Sequence, residues 1–153
     1  MGEIVVRSNS VMRGYLDAPE ATTAAFRGGW FHTADLAVRH PDGYIEIRDR
    51  AKDVIISGGE NISSIEVENV IASHPDVAEV AVVARPDERW GESPVAYVTP
   101  RPGCTPTSDE IVDHVRSRLA GYKTPREIHF RELPKTSTGK IRKSELRDEQ
   151  RDA

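Results

Sequence analysis

Apolar residues along this chain recur first with period two and then with the helical period, and the switches between the two periods mark its elements. Glu3 to Ser8 (Glu-Ile-Val-Val-Arg-Ser) is a short apolar run that suits a strand, and residues 9–16 read as a loop. Asp17 to Phe26 has a cap residue, a proline in the first turn and alanines behind it, which predicts a short helix closed by Gly28 and Gly29. Trp30 to Arg39 is aromatic and β-prone, His-Pro-Asp-Gly at 40–43 is a turn, and Tyr44 to Arg48 alternates in period two. Together they predict a hairpin.

After the charged stretch 49–53, Val54 to Ile56 forms a second apolar strand and Ser57-Gly-Gly-Glu60 a glycine turn. From Ser63 the period becomes helical: Ser63 and Glu66 have the spacing of a capping box, Val67, Val70, Ile71 and His74 share a face, and Pro75 ends the run. Val77 to Ala84 and Ser93 to Val98 are two strands, with 85–92 read as the loop that joins them. A second capping box, Thr107 with Glu110, opens a helix that buries Ile111, Val112, Val115 and Leu119 and closes at Gly121. Ile128 to Arg131 is a last short strand, and a frayed, highly charged helix follows from Lys143, its charges expected mostly on a solvated face. The order β-α-β-β-α-β after Val54 predicts an α+β unit, a small antiparallel or mixed sheet with helices packed on one face. Residues 1–49 do not fit inside that unit and read as a β-hairpin remnant of a preceding domain, with 50–53 between the two and 54–153 as the compact unit.

Charge narrows the function classes. The chain has 21 Lys and Arg against 25 Asp and Glu, so it lacks the basic excess expected of a nucleic-acid binder. No apolar run is long enough for a membrane span. The single cysteine, Cys104, forms no internal disulfide and suits a cytoplasmic protein. Trp30 is expected in the core and His74 in a packed or capping role, whereas Trp90, in a polar loop, suits packing and ligand contact equally.

Three stretches bear on chemistry: Gly-Trp-Phe-His-Thr-Ala-Asp-Leu at 29–36, Asp-Arg-Ala-Lys-Asp-Val-Ile-Ile-Ser-Gly-Gly-Glu-Asn at 49–61, and Pro-Lys-Thr-Ser-Thr-Gly-Lys-Ile-Arg-Lys at 134–143. In this order and spacing they resemble the adenylate-forming acyl-CoA synthetases, the fatty-acid and aryl-acid CoA ligases, over the end of the large N-terminal domain and the whole C-terminal lid domain. The resemblance implies a two-step reaction. A carboxylate attacks the α-phosphate of ATP to give an acyl-adenylate, and the thiol of CoA then displaces AMP. It also implies roles. Lys140 would be the catalytic lysine of the first step, Asp35 would hold the ribose hydroxyls, Arg50 would contact the nucleotide, and Lys52 would be the hinge. Gly58 and Gly59 would lie beside the pantetheine arm of CoA.

Mg2+ would accompany ATP in the full enzyme, and no ligand for it is identified in these residues. The chain departs from the family at Ala34, where glycine is usual. The phosphate loop, adenine pocket and acyl pocket would belong to the N-terminal domain, so the 153 residues alone are expected to be inactive as a ligase. An alternative is a non-catalytic module that binds nucleotide or CoA, or that complements a separate N-terminal domain. Unpaired strands in 3–8 and 30–48 would favour association between copies.

Overall fold

A computed structural model describes residues 1–151 of the chain. They divide into two compact units, Met1–Lys52 and the residues from Asp53 onward.

The first unit is a three-stranded antiparallel sheet of β1 (Gly2–Val6), β2 (Phe31–Arg39) and β3 (Ile45–Arg50), in that order. Helix α1 (Pro19–Ala25) follows β1, and a turn of 3-10 helix at Arg27–Gly29 leads into β2. The expected cap at Asp17 does not form. Asp17 is itself left-handed (φ 51°), and Ala18 occupies the cap position without a side-chain bond. The start of the helix is held instead by Thr22, whose hydroxyl accepts from the Tyr15 N–H at 2.9 Å and donates to the Ala18 carbonyl. Trp30 is not core. It is 39% exposed, with the Arg7 guanidinium 4.4 Å above its ring, so a cation on the ring face takes the place of apolar neighbours.

The second unit is a five-stranded sheet. Strands β4 (Ile55–Ser57) and β5 (Glu60–Ile62) form a tight hairpin, β6 (Val77–Asp87) and β7 (Gly91–Pro100) a long one, and β8 (Glu127–Phe130) pairs parallel to β7. The order is β5-β4-β7-β6, with β8 beside β7 as well. The segment 85–92 is therefore mostly strand, because the ladder continues through Pro86↔Glu92 to Asp87↔Gly91. Pro86 is tolerated because β6 is an edge strand and its missing N–H interrupts no second ladder. The turn is closed by Asp87, whose carboxylate accepts from the N–H groups of Arg89 and Trp90, both at 3.0 Å.

Both faces of this sheet are covered. Val77, Val82, Ala96 and Val98 pack with Val67 and Ile71 of α2 (Ser64–Ala72) and with Ile111 and Val115 of α3 (Ser108–Arg116). Their period-two neighbours Ala81, Val83, Val95 and Tyr97 pack on the other face with Leu133 and with Leu146 of α4 (Lys143–Arg151). The two helices inside the β-α-β-β-α-β order, α2 and α3, take one face as expected, and α4, which follows that order, covers the other. Strands buried on both sides lose the polar alternation of a one-faced sheet.

At the α3 cap both halves of the box form: Thr107 Oγ1 accepts from Glu110 N–H, and the Glu110 carboxylate accepts from Thr107 N–H at 2.7 Å. At α2, Ser63 accepts from Glu66 N–H, while the Glu66 carboxylate takes the Lys123 ammonium at 2.6 Å.

Candidate functional site

In the first unit, the chemistry-bearing residues sit where β2 meets β3. Asp35 and Arg50 are directly opposed across the strands, and Arg50 Nε donates to Asp35 Oδ1 at 3.1 Å. The preceding residue, Ala34, is left-handed (φ 60°), a conformation that costs a residue with a Cβ roughly 1–2 kcal/mol. Its peptide is clamped. Ala34 N–H donates to Glu3 Oε1 at 3.0 Å, and its carbonyl accepts from Ala51 N–H at 2.8 Å. Glu3 Oε2 lies 2.7 Å from His32 Nδ1 and 3.4 Å from Arg27, and the His32 hydrogen bond is the main reason the Glu3 carboxyl is held below its ordinary range. Thr33 donates to the Ile4 carbonyl at 2.8 Å and accepts from Asp35 N–H at 3.1 Å. The backbone that presents the Asp35 carboxylate is thus fixed on both sides by hydrogen bonds.

Lys52 lies in a turn at the last residue of this unit, exposed, and forms no ion pair among the described residues.

In the second unit, Gly58 and Gly59 form the two-residue turn of the β4–β5 hairpin, with φ 60° and 87°. Two positive φ values in succession are what this type of turn demands, and glycine meets them without a Cβ penalty. Gly58 is further constrained. A Cβ there would lie 2.8 Å from the Trp90 ring, and its N–H donates to the Trp90 carbonyl at 2.8 Å. Gly59 faces open space. Trp90, left open by the sequence, is therefore half-buried against the glycine turn. The Arg89 and Arg126 guanidiniums lie 4.7 and 5.8 Å from its ring. Asp87, whose carboxyl is lowered chiefly by the Trp90 N–H, closes the β6–β7 turn that carries Trp90.

Arg126 also lines a groove beside α3 together with Arg116, Tyr122 and Thr124, and the Thr124 hydroxyl is buried there without a hydrogen-bond partner. Sequence reading passed over Arg126, because an arginine in a short turn gives no signal until the fold sets it beside a tryptophan.

Lys140 stands on a closed hairpin. Lys135 and Ile141 pair as an antiparallel bridge, Thr136 N–H donates to the Lys140 carbonyl at 2.8 Å, and Gly139 N–H donates to the Thr136 carbonyl at 2.9 Å. Thr136 Oγ1 accepts from Lys140 N–H at 3.1 Å and lies 2.8 Å from Thr138 Oγ1. The Lys140 side chain is exposed and, among the described residues, in no ion pair, whereas Lys135 binds Glu79 at 2.6 Å and Lys143 binds Glu68 at 2.6 Å. Most charges of this helix are solvated as expected, and Lys143 and Arg147 are the exceptions: both turn inward, Arg147 onto Asp53, in ion pairs no more than a fifth exposed.

Among the described residues there is no group of three or more His, Cys, Asp or Glu placed to hold a metal ion. No helix among them is long and apolar enough to cross a membrane.

Residues 66–140 match the model of the AMP-binding enzyme C-terminal domain. The chain is 57% identical over 152 residues to an acetate–CoA ligase of Humulus lupulus, an alignment that covers 96% of this chain and 27% of that protein. It is 57% identical over 151 residues to a peroxisomal acetate/butyrate–CoA ligase of Arabidopsis thaliana, covering 95% of this chain and 26% of that protein. Its fold is similar to that of ATP-bound MatB from Rhodopseudomonas palustris, with a TM-score of 0.90 and 35% identity over 99% of this chain and 30% of that one. The chain thus spans about a quarter of the length of the curated relatives it matches.

Proposed function

The chain belongs to the AMP-binding enzymes, of which it carries the C-terminal domain, and from that premise we propose that it is the mobile C-terminal portion of an AMP-forming carboxylate–CoA ligase. The complete protein would join a carboxylate to ATP as an acyl-adenylate, with pyrophosphate leaving, and then transfer the acyl group to the thiol of CoA, with AMP leaving.

The observation that carries this reading is the state of Lys140. Among the described residues it is an unpaired ammonium on a hydrogen-bonded hairpin, flanked by lysines that are already neutralised. A carboxylate oxygen attacking a phosphate must bring two anions together, and a cation held between them offsets the repulsion in the transition state. Lys140 has the charge, reach and vacancy for that. The Asp35 carboxylate can accept from two ribose hydroxyls, with Arg50 beside it for the nucleotide. In the second step, rotation about Lys52 would bring the Gly58–Gly59 turn to the site, where the missing side chains let the pantetheine arm pass. Trp90 between two guanidiniums suits the anionic, aromatic nucleotide end of CoA. Magnesium would arrive with ATP.

The fatty-acid assignment and a cytoplasmic location belong to this proposal. The similar ligases named above act on short acids, and one is named as peroxisomal.

The test is Lys140→Ala in the full-length protein, following pyrophosphate release with ATP and a panel of carboxylates. Adenylation should slow by about a hundredfold, while thioester formation from a supplied acyl-adenylate and CoA stays near its original rate. Unchanged pyrophosphate release would reject the assignment. The residues 1–153 alone should release none.

A further inference from the structure

The inward stripe of α4 is unusual in carrying charge. Lys143, Leu146, Arg147 and Gln150 follow one another at helical spacing on one side of the helix. Leu146 is fully buried, and Gln150 donates to the buried Tyr97 hydroxyl at 2.6 Å. The two cations are nearly as enclosed. Lys143 Nζ lies 2.6 Å from Glu68 Oε1 and donates to Ser64 Oγ at 2.8 Å, with the pair 19% and 17% exposed. Arg147 binds Asp53, with that pair 14% and 10% exposed. Glu68 does a second job, since its Oε1 also accepts from Val82 N–H of β6 at 2.6 Å. Charges this enclosed are costly unless paired and hydrogen-bonded, and leucine-like residues would bury α4 with less desolvation. The ion pairs need a reason beyond stability.

Their positions supply one. Lys143 is the first residue of α4 and three residues from Lys140, and the hairpin is joined to it by Arg142, whose N–H donates to the Pro134 carbonyl at 2.8 Å and whose Nε donates to the Lys135 carbonyl at 3.0 Å. Asp53 is the residue after Lys52. One turn of α4, joined to the Lys140 hairpin through Arg142, is therefore pinned at one end to α2, through Lys143–Glu68, and at the other to the residue after Lys52, through Arg147–Asp53. We propose that α4 is the mount of Lys140, with Glu68, Lys143, Asp53 and Arg147 as positioning residues for the step that Lys140 serves. An apolar contact would let the helix slide along its groove. Two directional charge-assisted pairs one turn apart fix both its rotation and its translation. This inference rests on the assignment of Lys140 to adenylation.

The experiment uses the full-length protein with the double replacement Glu68→Gln/Lys143→Met, which removes both charges but keeps an acceptor for Val82 N–H, and separately Asp53→Asn/Arg147→Gln. Amide hydrogen exchange should show residues 135–142 losing protection while β6 and β7 keep theirs. Adenylation should fall about tenfold to a hundredfold, as expected for a displaced catalytic group, with thioester formation from supplied adenylate within about twofold of the original. Lys143→Arg, which keeps the charge, should restore most of the adenylation rate. Hairpin protection unchanged in both double variants overturns the proposal, and so does protection lost equally from hairpin and sheet in both, since the pairs would then only hold the fold. Lys140→Ala run in parallel separates the two readings. If it leaves adenylation intact, the Lys140 assignment fails, whereas the exchange result still judges the mount.

Discussion

Asp35 and Arg50 stand opposite each other on neighbouring antiparallel strands, joined Nε to Oδ1 at 3.1 Å. The pair is partly open to solvent, so it is worth little to stability and is available to a ligand. Replacing Asp35 with Asn keeps the shape and removes the charge that strengthens its hydrogen bonds to hydroxyl donors. Titration calorimetry of the full-length protein should show ATP binding weakened by about tenfold or more, from charge-assisted bonds of roughly 1.5–3 kcal/mol. The melting temperature should barely move. Unchanged ATP affinity would remove Asp35 from the nucleotide site.

Ala34 occupies a left-handed conformation next to that carboxylate. Glycine avoids the Cβ strain, of roughly 1–2 kcal/mol, but gives back roughly 0.4–1 kcal/mol through the freer unfolded chain. Ala34→Gly should therefore leave stability unchanged or raise it by up to about 1.6 kcal/mol, read from urea unfolding. A clear loss of stability would show that the Ala34 methyl makes contacts worth more than its strain.

The two turn glycines should separate experimentally. Gly58→Ala drives a methyl into the Trp90 ring as well as straining the turn, and should destabilise by about 2–4 kcal/mol. Gly59→Ala meets open space and should cost only the conformational strain of about 1–2 kcal/mol. Equal costs at the two positions would mean that the Trp90 ring moves aside freely.

His114 should make the second unit acid-sensitive. Burial, then the Arg118 charge, hold its imidazole below the ordinary histidine value, against an opposing hydrogen bond to the Val70 carbonyl. Its other neighbours are the His74 ring, 5.0 Å away edge-on, and Ser73 Oγ at 2.9 Å. A depressed folded pKa means that the unfolded chain takes up the proton first. This contribution is complete above the unfolded value of about 6.5 and is lost as pH falls from there toward the folded value. His114→Gln should flatten the decline in melting temperature between about pH 7.5 and pH 5. An identical slope in the variant would assign the acid sensitivity to the carboxylates.

In the three-stranded sheet of the first unit, β1 and β3 are the outer strands, and Ile45 and Ile47 are 59% and 56% exposed on β3. The 153-residue chain by itself should associate with rising concentration in light scattering, and Ile47→Lys should reduce that, since charge on an edge disfavours pairing. A monomer at every concentration would count against it.

How much of this was legible in advance follows from how local each signal is. The Thr107–Glu110 capping box lies within four residues, and it forms as read. So do the hairpin read over 30–48 and the inward pairs Val67/Ile71 of α2 and Ile111/Val115 of α3, although α3 ends at Arg116, short of Gly121, and leaves Leu119 beyond it. Strand β5 escaped notice because three residues, Glu-Asn-Ile, carry no periodicity. Residues 85–92 looked like a loop because Pro86 and five charges mask a ladder that an edge strand tolerates. The Asp35–Arg50 opposition needs the register shift between Leu36 and Ala37, which no spacing rule supplies. Lys140 on a Thr-Gly turn was visible, but its vacancy was not. That depends on Lys135 and Lys143 finding Glu79 and Glu68, residues far away in sequence.

The two-sided burial of β6 and β7 also sets an order of events during synthesis. The face formed by Ala81, Val83, Val95 and Tyr97 is covered by Leu133 and Leu146. Leu146 leaves the ribosome some 50 residues after Tyr97. Through that interval α2 covers one face and α3 then joins it, while the other face waits for Leu133 and finally Leu146, with the edge strand β6 beside it. A translating chain would therefore pass through a sticky, half-dressed stage. A stop codon placed before Lys143 should leave it there, producing inclusion bodies where the longer chain gives a folded product.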